Sequence, residues 1–113
     1  MYVLSKERNQ TLILTMFDIN KKEHQLIIEY PYTNAHKILL DIFDERGIRY
    51  NYQNMSCGNF ITINEPLTQI QIEKFMGTQT LLRMGDQRCP RLNNVLSNVL
   101  KRKITEMFNI DRG

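Results

Sequence analysis

The sequence has no tryptophan, two cysteines, three prolines and five glycines in 113 residues. Cys57 and Cys89 are too few for a disulfide scaffold or a zinc site built from thiolates alone. The glycines stand singly, and none forms the Gly-x-Gly-x-x-Gly or P-loop pattern that cradles phosphate. No apolar run approaches the ~18 residues of a membrane span. The start, Met1-Tyr2-Val3-Leu4-Ser5-Lys6, lacks the basic-then-apolar pattern of an export signal. Gly, Pro and Ser never cluster into a linker. These absences lead to the expectation of one soluble, cytoplasmic domain over residues 1–113, with both thiols reduced.

What is present is an ordinary globular mixture, 42% apolar and 24% charged, enough to bury a core without a metal or a cross-link. The formal charge is +3, unevenly spread. Arg83, Arg88, Arg91, Lys101, Arg102 and Lys103 face only Asp86 in their window, so the remainder of the chain is net negative. Such asymmetry points to an anionic partner for the C-terminal third. Thirteen isoleucines and eleven asparagines are the usage of an AT-rich genome, such as a low-GC bacterium, a phage or another virus.

Hydropathy patterning predicts the elements. Thr11–Phe17 reads as a strand and Gln25–Tyr32 as its alternating partner, with Lys21 and Lys22 at the hairpin tip. Thr33 is a suitable cap for a helix over 34–46, whose Ala35, Ile38, Leu39, Ile42 and Phe43 form an apolar stripe ended by Gly47. Ile48–Gln53 and Phe60–Ile63 make a second hairpin around Ser56–Asn59. Thr68 and Gln71 make a capping box, and Leu67 is placed to staple against Ile72. A short helix follows to Gly77, then a helical turn through Leu81 and Leu82. Pro90 opens a last helix with a stripe of Leu92, Val95, Leu96, Val99, Leu100, Ile104, Met107 and Phe108. The expected fold is an α+β two-layer domain, a four-stranded antiparallel sheet from two hairpins with two or three helices, in the order ββαββαα. Pro31-Tyr32-Thr33 and Pro66-Leu67-Thr68 raise the question of an internal repeat.

Catalytic chemistry finds little support. A nucleophilic cysteine needs a histidine within reach, and only His24 and His36 exist, one near a hairpin tip and one in a helix's first turn. No Cys-x-x-Cys or paired-histidine spacing seeds a metal site. Asp41, Asp44 and Glu45 lie on the solvated side of their helix, where nothing shifts a pKa. The expectation is a non-enzymatic protein with no cofactor and no metal.

Binding is better supported. Arg91, Asn94, Asn98 and Lys101 fall in line on the last helix, where asparagine is a poor helix former. Arginine and asparagine are also the residues that contact phosphates and read guanine and adenine edges. Arg49, Asn51 and Gln53 alternate with Tyr50 and Tyr52, which places the polar row on one sheet face and two candidate stacking rings on the other. A helix-turn-helix over Gln69–Arg88 conflicts with Glu73 and Arg83 at positions that need a small and a buried residue. The reading is a small regulatory protein binding nucleic acid through Arg88, Arg91, Asn94, Asn98, Lys101 and Arg102, with Lys21, Lys22 and Arg49 as secondary contacts. The alternative is a phage- or virus-type inhibitor docking on an acidic or nucleic-acid-handling protein. The Met107/Phe108 end or a hairpin edge offers a route to a homodimer.

Overall fold

The computed structural model describes residues 11–29, 34–86 and 88–112, the side chains of 109–112 excepted. The elements are β1 (Leu12–Phe17), β2 (Glu23–Ile28), α1 (Ala35–Arg46), β3 (Tyr50–Met55), β4 (Gly58–Ile63), α2 (Gln69–Gly77), α3 (Gln79–Met84) and α4 (Pro90–Arg112). The fold is α+β: a four-stranded sheet from two hairpins with the helices packed on one face, in the expected order ββαββαα but with a short additional helix, α3, between the last two. The turn through Leu81 and Leu82 is the short α3. The extension of β2 to Tyr30 and Tyr32 and the Thr33 cap lie outside the described residues.

The strand order is β2-β1-β4-β3. Both hairpins are antiparallel, with Leu14 opposite Leu26 and Tyr52 opposite Ile61. The central pair, β1 and β4, is parallel, so the sheet is mixed and not antiparallel throughout. The cause is α1, which carries the chain from edge strand β2 to the opposite edge β3. A helical crossover carries the chain from the end where β2 finishes back to the end where β2 began, so β3 runs with β2, and β4 runs with β1. The hairpins also occupy unlike places. The first strand of one hairpin is central and the first strand of the other is an edge, which leaves the two halves without equivalent positions.

Leu12, Leu14 and Met16 of β1, Leu26 and Ile28 of β2, and Ile61 and Ile63 of β4 all point to the helical side and are buried. There they meet Ile38, Leu39, Ile42 and Phe43 of α1. Edge-to-face ring contacts link three helices: Phe43 to Phe75 at 6.3 Å and Phe75 to Phe108 at 6.2 Å. Helix α4 packs on α1, α2 and α3. Its Met107 and Phe108 are buried, so neither of these two side chains is offered to a second copy.

Local signals act largely as expected. Gly47 ends α1 at φ 70°. The α1 cap position is Asn34, whose side chain makes no capping bond. Thr68 and Gln71 form both bonds of the capping box, and the Gln71 amide also donates to the Met107 carbonyl at 3.1 Å, tying the start of α2 to the last turns of α4. Gly58 has φ 149°, and a Cβ there would lie 2.9 Å from the Thr11 carbonyl oxygen. Its lack of a side chain lets β4 start against β1, where the Asn59 N–H donates to that carbonyl at 2.7 Å.

Candidate functional site

The basic segment begins in the loop that leads into α4, and Asp86 organises that loop. Its carboxylate accepts from the Arg88 backbone N–H, Nε and Nη2 at 2.9–3.0 Å. The Asn93 amide brackets the Asp86 backbone, donating to its carbonyl and accepting from its N–H, both at 2.9 Å. The Arg88 side chain holds the Asp86 carboxyl below the usual carboxylate range. Arg88 therefore builds the entrance to the helix, and part of its charge is answered locally.

Along α4 the buried stripe is Leu96, Leu100, Ile104 and Met107. Directly opposite run Arg91, Asn98 and Arg102, at i, i+7 and i+11, with Asn94 and Val95 beside them; all five are exposed. Neither Arg91 nor Arg102 forms an ion pair among the described residues. Lys101 departs from the line expected for it. Its Nζ lies 3.0 Å from Glu45 of α1. Val95 is a further correction, since it is 62% exposed and not part of the core. Among the described residues the helix has neighbours on the α1–α3 side alone, and a stripe wide enough to include both Val95 and Met107 exceeds what they cover. Val99 is half-buried for the same reason.

On the other flank of α4, Lys103 and Glu106 join Lys74, Gly77 and Thr78 around a shallow cleft of about 270 Å³. Sequence reasoning missed this juxtaposition, because Lys74 and Lys103 meet only through the packing of α2 on α4.

The remaining candidates lie elsewhere. Lys21 and Lys22 occupy the β1–β2 turn, where Lys21 adopts φ 65°. That turn is built on Asp18, whose carboxylate accepts from the N–H groups of Asn20 and Lys22 and sits 3.1 Å from His24 Nε2. The Lys22 N–H, followed by the His24 side chain, lowers the Asp18 pKa. Arg49 is exposed just before β3, with its N–H donated to Glu65 at 2.9 Å. It shares the parity of Asn51 and Gln53, on the sheet face turned from the helices. Tyr50 and Tyr52 point the opposite way, under α1. The Tyr50 hydroxyl donates to Asp44 at 2.6 Å, which raises its pKa, and its ring packs on Phe43. Tyr52 stacks on His36 and donates to Asn59 at 2.7 Å. Both rings are engaged within the fold, which answers the stacking reading.

The nine candidates therefore divide. Arg91, Asn94, Asn98 and Arg102 share one exposed face. Arg88 and Lys101 are tied to carboxylates beside it. Lys21 and Lys22 are at a hairpin tip, and Arg49 is behind the sheet. Cys57 and Cys89 are exposed and unbridged. Among the described residues, no three His, Cys, Asp or Glu side chains group as metal ligands. Nor is any helix there long and apolar enough to cross a membrane. Comparison of the chain with known protein families, characterised proteins and solved structures finds no match.

Proposed function

We propose that this chain is a non-enzymatic regulatory protein that binds nucleic acid through the outer face of α4. The observation that carries the reading is the Arg91–Asn98–Arg102 line. Two arginines without a carboxylate partner among the described residues flank an exposed asparagine on a 23-residue helix. The helix is anchored by a buried stripe on its other side, so these groups are presented at fixed spacing. Arginines at such spacing meet phosphates, and an asparagine between them is placed for a base edge. The test is titration of labelled duplex and single-stranded oligonucleotides across a salt series. Arg91→Ala with Arg102→Ala should weaken binding and flatten the log K against log salt slope by about one for each phosphate no longer neutralised. Absence of wild-type binding at low salt would overturn the reading.

Val95 favours a second reading. A 62%-exposed valine in the middle of this face is of no use to a phosphate backbone, and it suits an apolar contact ringed by cations. That is the surface of an inhibitor docking on an acidic or nucleic-acid-handling protein. Val95→Asp should abolish such a complex. Val95→Lys should leave nucleic-acid binding equal or tighter.

A further inference from the structure

We infer that two copies of this chain join edge to edge through β3, in an antiparallel pairing with Tyr52 opposite its own counterpart, giving a continuous eight-stranded sheet. The inference rests on backbone geometry and does not depend on the reading of α4.

β3 ends the described sheet on one side. It pairs regularly with β4 over all six residues, without a bulge. The direction of its remaining backbone groups follows from one bond. The Arg49 carbonyl accepts from the Asn64 N–H at 2.9 Å, so Arg49 and its alternates Asn51, Gln53 and Met55 direct their polar groups to β4. Tyr50, Tyr52 and Asn54 therefore direct three N–H and three C=O groups outward. A two-fold axis at Tyr52 pairs Tyr52 with Tyr52 and Tyr50 with Asn54, and every outward group then finds a partner. The same register places Asn51 beside Gln53 of the second copy on the outer sheet face, amide against amide.

The charge pattern selects this occupant. Tyr-Asn-Tyr-Gln-Asn-Met contains no charge and no proline, the devices that protect a free edge. A copy of itself thus brings no like charge to the seam. The opposite edge, β2, carries Glu23 and is bordered by Lys21, Lys22 and Glu29, whereas β3 is bordered by Arg49 alone, so growth is opposed at the β2 edge and a closed pair results.

Sedimentation velocity of the full chain at tens of micromolar provides the test. Wild type should sediment at twice the mass of one chain. Asn51→Lys with Gln53→Lys, both exposed positions, puts four cations on the seam and should halve the mass. Asn51→Lys with Gln53→Glu sets opposite charges across the axis and should keep the dimer. Mixing the double-lysine protein with an Asn51→Glu/Gln53→Glu protein should restore the doubled mass in a mixed pair. A monomeric wild type, larger open-ended assemblies, or a dimer indifferent to the double-lysine change would each overturn the inference.

Discussion

His36 shows how one residue can make the whole fold sensitive to acid. It lies in the first turn of α1, buried, stacked on Tyr52 with ring centres 6.2 Å apart, and its Nδ1 has no hydrogen-bond partner among the described residues. Burial, and then the charge of Lys37, push its pKa below 6.5. The folded state thus takes up a proton less readily than the unfolded chain. Stability is complete above pH 6.5 and falls as the pH drops through the window below it. The melting temperature should decline on that side, and His36→Phe, which keeps the stack and has no nitrogen, should flatten the decline. Asp18 acts lower on the scale. Its depressed pKa contributes stability above 3.8 that is lost as the pH falls further, and Asp18→Asn should remove this second phase in the same melting series. Gly58 is constrained in another way. Gly58→Ala brings a methyl group to 2.9 Å from the Thr11 carbonyl in a positive-φ conformation, and should lower the melting temperature more than an alanine at an exposed strand site.

At the scale of elements, α4 separates pattern from burial. Its sequence offers eight apolar residues on a broad stripe, and the three helices beneath it cover only part of that width. Leu96→Ala should cost about 2–5 kcal/mol, as for a core leucine, whereas Val95→Ala should fall within about 0.5 kcal/mol of wild type in urea unfolding. Equal losses at the two sites would contradict this placement of the stripe. In α1 the pattern and the burial coincide, and Phe43→Ala removes a ring that touches both Tyr50 and Phe75. Its loss should cost about 3–5 kcal/mol, a large part of the ~5–15 available to a domain of this size.

At the scale of the molecule, the topology distributes the cations. The α1 crossover puts the helices on one side of the sheet, so α4 presents its arginines there, while Arg49 looks out from the other side. A charge count over the Arg83–Lys103 window therefore overstates the field of a single face, because Lys101 is partly answered by Glu45 from outside the window and Arg88 is tied to Asp86 in the loop before α4. Reversing Arg102 to Glu should accordingly weaken oligonucleotide binding more than reversing Arg49. Equal effects in the same salt titration would mean that no single face is in charge.

Much of the fold was legible in the residues because its signals are local. The i, i+3, i+4, i+7 spacing of Ala35 to Phe43, the left-handed stop at Gly47, the Thr68–Gln71 box and the alternation of Tyr50 and Tyr52 each act within a few residues of chain. The cationic, asparagine-rich face of α4 was legible for the same reason, since helical periodicity alone aligns Arg91, Asn94 and Asn98. Long-range packing decided the rest. The parallel β1–β4 pair depends on where α1 crosses the sheet, the exposure of Val95 on how many helices lie beneath α4, and the diversion of Lys101 on Glu45, 56 residues away. Periodicity states which side chains share a side of an element. Which of those sides is covered is settled only when the elements meet.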